Sequence, residues 1–225
     1  MKRRLTRIYT FHIYLNLLYS FMSVSIITRF KNERHILFEW VNHHLEEGID
    51  KIFLIDDKSD DDYYELNKDW LKQLEDEDKI QFIQAKTDNQ RKDYNYLLKD
   101  VKKYKWVIQI DIDEFIFCPK KDTSLKKILN ETYKNVEYIR IKWKLFSHRD
   151  KYQPKSVIEN NLITHKDKID PISPCAIKCI GKTKNILKIG IHNLKFKKYI
   201  KPKLLLSHNK NIQINHYRTQ SDEYL

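Results

Sequence analysis

The sequence predicts an α/β fold with a mostly parallel central sheet flanked by helices, and three observations lead there. From Ser23 to Phe117 short apolar runs alternate with amphipathic stretches of helical spacing. Their order, β-α-β-α-β-α-β, calls for right-handed crossovers between parallel strands, with a ligand site at the strands' C-terminal ends. Both acidic clusters of this half, Asp56-Asp57 and Asp111 to Glu114, fall at such ends.

Each element has its own signal. Residues 1–22 carry Lys2, Arg3, Arg4 and Arg7 ahead of an apolar stretch, Ile8 to Met22, interrupted by His12, Asn16 and Ser20. At ~15 residues it is shorter than the ~20 a membrane span requires, so it is expected as a helix or a weak anchor. Residues 23–225 are expected to form one domain. Val24 to Thr28 reads as a strand. Arg34 to Glu47 has Leu37, Trp40, Val41 and Leu45 at helical spacing, and Gly48 stands where a C-cap glycine belongs. Lys51 to Ile55 is the second strand. Asp60 or Asp61 is placed to cap a helix carrying Tyr64, Trp70, Leu71 and Leu74. Ile80 to Gln84 is the third strand, and Asp88 is expected to start a helix reaching about Lys103. Trp106 to Ile110 is nearly continuous apolar sequence, as a strand buried on both faces would be. Thr123 is expected to cap a helix to about Tyr133, and Val136 to Trp143 reads as a strand. Short strand-like runs follow, with Pro154, Pro171, Pro174 and Pro202 between them.

Composition narrows the function classes. The chain has 225 residues, 41% of them hydrophobic and 12% aromatic, enough for a proper core. Its formal charge of +12 comes mostly from lysine. Planar, bidentate recognition of bases and phosphates favours arginine, so no specific nucleic-acid partner is expected. A Lys-rich solvated surface remains, with attraction of anionic substrates or peripheral membrane contact as a side effect. Cys118, Cys175 and Cys179 make an odd count with no disulfide framework and no zinc spacing. No glycine-rich phosphate loop is present, which argues against dinucleotide and Walker-type sites.

The chemistry concentrates in Trp106-Val107-Ile108-Gln109-Ile110-Asp111-Ile112-Asp113-Glu114-Phe115. In extended chain Asp111 and Asp113 project to one side, ~6–7 Å apart. Two carboxylates so placed repel, and a hard divalent cation relieves the repulsion while bridging them to substrate phosphates. A polar turn that ends a core strand is the other reading of this segment alone.

Asp-Ile-Asp-Glu-Phe after a Trp-initiated strand resembles the Asp-x-Asp site of GT-A glycosyltransferases, particularly the family 2 and family 92-like branch. Other landmarks follow in register: Ile26 to Glu33 with its Lys-Asn-Glu, Glu39 to His44 with Gly48-Ile49-Asp50, and the acidic loop Ile55 to Asp61. Later ones are Trp143 to Phe146, Lys178, His192 and Ile214-Asn215-His216-Tyr217. The resemblance implies a GT-A (Rossmann-like) fold with a mixed α/β acceptor-side second half. It implies a metal-dependent transferase moving a sugar from a nucleotide-sugar, a UDP-sugar in this branch, to the hydroxyl of a glycan, protein or lipid acceptor, with inversion. The alternatives are a catalytically idle GT-A-like module that binds an anionic partner, or a nucleotidyltransferase.

The same resemblance suggests roles. Asp113 and Asp111 are implied as ligands of Mn²⁺ or Mg²⁺, with His192 and His216 as imidazole ligands and Glu114 orienting the carboxylates. Asp56 and Asp57 match the acidic base-binding position, with Asp56 the favoured nucleotide contact, and Thr28 and Arg29 are expected to line the base pocket. Asn95 resembles an asparagine of the family's third helix, although Tyr94 stands where the family 2 pattern has arginine. Lys178 is expected at the diphosphate. Asp150 is the expected catalytic base, with Glu159, Asp167 and Asp170 in the same half of the chain. Localisation follows from none of this: cytoplasmic and membrane-associated placements both stay open.

Overall fold

The computed structural model describes residues 22–147, 155–161, 163–164, 177–218 and 220. The expectations for residues 1–21, Asp150, Asp167, Asp170 and Cys175 lie outside the described residues.

The elements run β1 (Val24–Phe30), α1 (Leu37–Glu46), β2 (Lys51–Asp56), α2 (Tyr63–Asp76), β3 (Ile80–Gln84), α3 (Gln90–Tyr96), α4 (Leu98–Val101), β4 (Trp106–Gln109) and β5 (Glu114–Phe117). They continue with α5 (Leu125–Glu131), β6 (Tyr138–Ser147), α6 (Val157–Asn160), β7 (Ile163–Thr164), β8 (Ile177–Lys182), β9 (Ile186–Ile189), β10 (Leu194–Phe196), β11 (Lys203–Leu205) and β12 (Gln213–His216). The main sheet has the order β3-β2-β1-β4-β8-β6-β12-β5, with β7 and β11 also pairing β6. β3, β2, β1 and β4 are mutually parallel, as the alternating pattern predicts. β8 then enters antiparallel to both β4 and β6, β12 runs parallel to β6, and β5 closes the edge antiparallel to β12. The second half is therefore mixed, as expected.

Strand alternation divides the core between the two faces. Ile26, Trp106 and Ile108 pack with Trp40, Leu71, Phe115 and Ile214 on one side. Ile27, Val107 and Phe53 pack with Tyr94, Val101 and Cys179 on the other. Because helices cover both faces, β1, β2 and β4 are near-continuous apolar runs.

Gly48 does end α1. It has φ +87°, its N–H donates to Leu45 O (3.0 Å), and the Ile49 N–H donates to His44 O (3.1 Å). That pair of bonds is a Schellman cap, which needs a left-handed residue.

Three expected caps are displaced. Neither Asp60 nor Asp61 caps α2: Asp62 occupies the N-cap without a side-chain bond, and Asp61 accepts instead from the Arg34 N–H (2.9 Å). Asn89, not Asp88, caps α3, and its side chain accepts from the Arg91 and Lys92 N–H groups. The expected helix to Lys103 breaks at Leu97, which leaves the helical region and packs in the core beside Tyr94 and Val101. Ser124 rather than Thr123 caps α5, its hydroxyl accepting from the Lys127 N–H. Among the described residues no helix is long and apolar enough to cross a membrane.

Candidate active site

The chain leaves β4 at Gln109 and turns before entering β5 at Glu114. Asp111 and Asp113 therefore stand on a turn, and the single extended face expected for them does not form. Glu114 supplies the reason. Its N–H donates to Asp111 O (3.1 Å) and its carboxylate accepts from the Asp111 N–H (2.9 Å), so backbone and side chain close the turn together.

The turn sends its two aspartates in different directions. Asp111 pairs with Lys178 and lies within reach of the Gln90 and Gln109 amides, each at 3.4 Å. Asp113 Oδ2 lies 2.9 Å from His216 Nε2. Lys178 on β8 is fully buried and also lies 3.4 Å from the Glu114 carboxylate, itself fully buried. Burial alone would lower Lys178, but Glu114 and Asp111 outweigh it and raise its pKa, so the lysine is a cation. Burial pushes Glu114 well above the carboxylate range, and the charges of Asp111 and Asp113 add to the shift. Burial would also raise Asp113, yet the hydrogen bond and charge of His216, with the charge of Lys178, hold it below its usual value.

Asp111 and Asp113 open into a cleft of about 390 Å³ lined also by Arg29, Lys31, Glu33, Asp57 and Gln90, among others. Glu33 lies in the loop after β1. Burial and the negative charges of Asp113 and Asp61 push it up to about 8. The cleft thus holds more carboxylate than it can ionise at neutral pH without a cation.

The donor set suits one. Ligand atoms of Asp113, Glu114 and His216 all lie within 4.8 Å of one another. Two cis ligands ~2.1 Å from an octahedral cation stand about 3 Å apart, close to the separation of Asp113 Oδ2 and His216 Nε2. The Glu114 Oε1 and His216 Nδ1 atoms are buried without a partner among the described residues. Carboxylates with one imidazole fit Mn²⁺ better than a soft metal.

The other expected residues divide into those near the cleft and those spent elsewhere. Arg29 lies in it, held 2.5 Å from Asp57 and 3.7 Å from Asp93, and it donates to Thr87 O (3.2 Å). Asp57 lines the same end. Asp56 does not: it is buried, and its oxygens accept from the Ser59 N–H (2.8 Å), Tyr63 hydroxyl (3.2 Å) and Gln84 amide (2.9 Å). It organises the loop after β2, leaving Asp57 as the carboxylate at that strand end that faces the cleft. Thr28 is fully buried in β1 and lies outside the cleft's lining. Asn95 is also spent. Its amide donates to Ile189 O (2.9 Å) and accepts from the Ile189 N–H (3.1 Å), pinning α3 to β9. His192 is outside the Asp113–Glu114–His216 group. Its Nδ1 faces Ile177 O (3.1 Å), its ring contacts Trp143 edge-on, and burial with the charge of Lys178 keeps it neutral.

Sequence reasoning missed Gln90, Gln109 and Glu33 as members of the site. Glu33 had a signal, since it ends the Lys31-Asn32-Glu33 landmark. Gln109 had one too, as a fully buried polar residue inside an apolar strand.

Among curated proteins no sequence matches this one. Among solved structures, a fragment of S. aureus TarS matches with TM-score 0.43 and 17% identity, over 72% of this chain and 47% of that one. The mannosyltransferase PcManGT from Pyrobaculum calidifontis, in complex with GDP-Man and Mn²⁺, matches with TM-score 0.39 and 16% identity, over 53% and 34%. A 4-diphosphocytidyl-2C-methyl-D-erythritol synthase from Anaerococcus prevotii matches with TM-score 0.40 and 14% identity, over 85% and 91%. The chain spans less than half the length of the first two. At the level of sequence the outcome is direct: residues 20–225 match the family model described as Glycosyltransferase family 92, and the chain belongs to that family.

Proposed function

We propose that this glycosyltransferase is metal-dependent, takes a UDP-sugar as donor and inverts the anomeric centre. The observation that carries the reading is the meeting of Asp113, Glu114 and His216 beside a cleft that Arg29 and Asp57 also line. A divalent cation held by that group would neutralise the diphosphate leaving group.

The chain's own residues supply the rest. Asp57 offers a carboxylate acceptor for the imide N–H of uracil, and Arg29 fixes its orientation through their ion pair. Asp111 is anchored by Lys178, which leaves its Oδ1 side, next to Gln90 and Gln109, to meet the ribose. Lys178 keeps Asp111 and Glu114 together in one site and reduces their mutual repulsion, and its charge also favours ionised Asp113. Inversion calls for a base on the acceptor side, opposite the leaving group. Asp150 is the sequence's candidate for it.

The test is a titration of UDP with and without Mn²⁺, alongside nucleoside triphosphates and a screen of nucleotide-sugar hydrolysis. Metal-dependent micromolar UDP binding, tighter than that of triphosphates, is the expected result. Equal or tighter binding of triphosphates would favour a nucleotidyltransferase. Absence of nucleotide binding would leave an idle module.

A further inference from the structure

A cavity of about 650 Å³ is separate from the donor cleft. It lies between α3 and the β9–β10 hairpin and is within the size range of small-molecule sites. Arg91, Lys92, Lys188 and Lys195 line it with no carboxylate among the described residues, while Leu98, Leu187 and Ile189 give it an apolar part.

Several lysines elsewhere stand against carboxylates: Lys51 with Asp78, Lys126 with Asp50, Lys103 with Asp100, Lys182 with Glu137. A second basic cavity, around Lys102 to Lys105, includes Glu137 in its wall. Four like charges around one concavity repel, and an anion inside relieves that repulsion.

The walls are fixed in place. Asn95 bonds both the N–H and the C=O of Ile189, tying α3 to β9. The Gly190 N–H donates to Asn193 O (2.9 Å), which closes the turn between β9 and β10. The cavity and the donor cleft share helix α3. Gln90 lines the cleft, and its neighbour Arg91 lines the cavity.

We propose that the cavity between α3 and the β9–β10 hairpin is an anion site that receives a phosphate group carried by the acceptor. The assignment of the ligand to the acceptor rests on the transferase reading above; the anion site itself does not. A phosphate attached to a lipid and a phosphate on a soluble glycan share the chemistry that Arg91, Lys188 and Lys195 recognise.

Calorimetry on the full chain in EDTA, which removes any metal-held phosphate from the donor cleft, separates the outcomes. The probes are glycerol 3-phosphate, dihexanoyl phosphatidic acid below its micelle concentration, and dihexanoyl phosphatidylcholine as a zwitterionic control. We expect both phosphate monoesters to bind and the control not to. Arg91→Ser/Lys188→Ser should weaken them at least tenfold. Lys103→Ser/Lys184→Ser, which removes the same charge elsewhere, should change affinity less than twofold. Tenfold preference for phosphatidic acid over glycerol 3-phosphate identifies a lipid-borne phosphate, and equal affinity a soluble one. No binding of either monoester, equal binding of phosphatidylcholine, or equal losses in both double variants would overturn the site. UDP titration with Mn²⁺ on the same samples judges the donor reading separately. Monoester binding without UDP binding would keep the anion site and remove the UDP-donor reading.

Discussion

His216 stands opposite Glu114 across the antiparallel β12–β5 ladder, and its Nε2 lies 2.9 Å from Asp113 Oδ2. Residues about a hundred positions apart in sequence thus come within hydrogen-bonding distance, a separation that two ligands of one small divalent cation would also show. The register decides this. Shifting β12 by one residue would turn the imidazole to the other face of the sheet.

Asp113→Asn should therefore abolish Mn²⁺-dependent UDP binding, by at least about 100-fold, while far-ultraviolet circular dichroism stays unchanged. Asp111→Asn should keep metal binding and lose nucleotide affinity, because Asp111 is committed to Lys178. Calorimetry of Mn²⁺ and of UDP on the two variants reads the difference. Unaltered Mn²⁺-dependent affinity in Asp113→Asn would remove Asp113 from the site.

Lys178→Met should destabilise the protein by roughly 3–5 kcal/mol, the usual cost of leaving buried charge without its partner. The three carboxylates around it would then rely on a cation. Mn²⁺ should raise the urea midpoint of Lys178→Met more than that of the parent chain. Equal Mn²⁺ stabilisation of both proteins would show that Lys178 does not offset the charge of the metal site.

Asn95→Ala should lower stability by about 1–2 kcal/mol through loss of its two bonds to Ile189. UDP affinity should stay within twofold. A large loss of UDP binding at unchanged stability would restore Asn95 to the nucleotide site.

How much of this was legible in the sequence depended on whether a residue's role is local. The GT-A fold, the parallel first half and Gly48 were readable because periodicity and a single left-handed position are written in neighbouring residues. The cap of α3 was misplaced by one position because Asp88 and Asn89 are both good caps, and only the completed turn selects between them. The sequence favours Asp56 over Asp57 as the nucleotide contact, but Tyr63 and Gln84 reach Asp56 from two other elements and occupy it, which no local pattern shows. The two histidines were equivalent in sequence for a similar reason. His216 reaches Asp113 through strand pairing, whereas His192 turns its Nδ1 to the backbone of Ile177.

Acid should destabilise the fold through α1. His44 is fully buried, with Nδ1 2.7 Å from Trp40 O and Nε2 accepting from the Ile116 N–H (3.3 Å), an arrangement only the neutral ring can make. Burial, with the nearby His43, lowers its pKa well below 6.5. The sign follows. The unfolded ring takes up a proton near pH 6.5 and the folded ring resists, so this stability is complete above that pH and is lost as pH falls toward the folded value. Unfolding free energy should drop by about 1.4 kcal/mol per pH unit below ~6 for each histidine so held. His44→Leu should flatten the slope in urea titrations between pH 7 and 5. An unchanged slope would show that His44 is not the group responsible.

Strand β5 has one strand neighbour, β12, and is otherwise held by α1: Trp40 Nε1 donates to Glu114 O (2.8 Å) and His43 bonds Ile116 O (3.1 Å). The consequence concerns time as much as space. During synthesis the acidic turn, α1 and Lys178 all leave the ribosome before β12 does. A nascent chain at that stage has its carboxylates and its lysine counter-ion but no imidazole, and β5 still lacks the strand that sets its register. On the proposed metal-dependent reading, the Asp113–Glu114–His216 group is complete only once β12 has docked against β5.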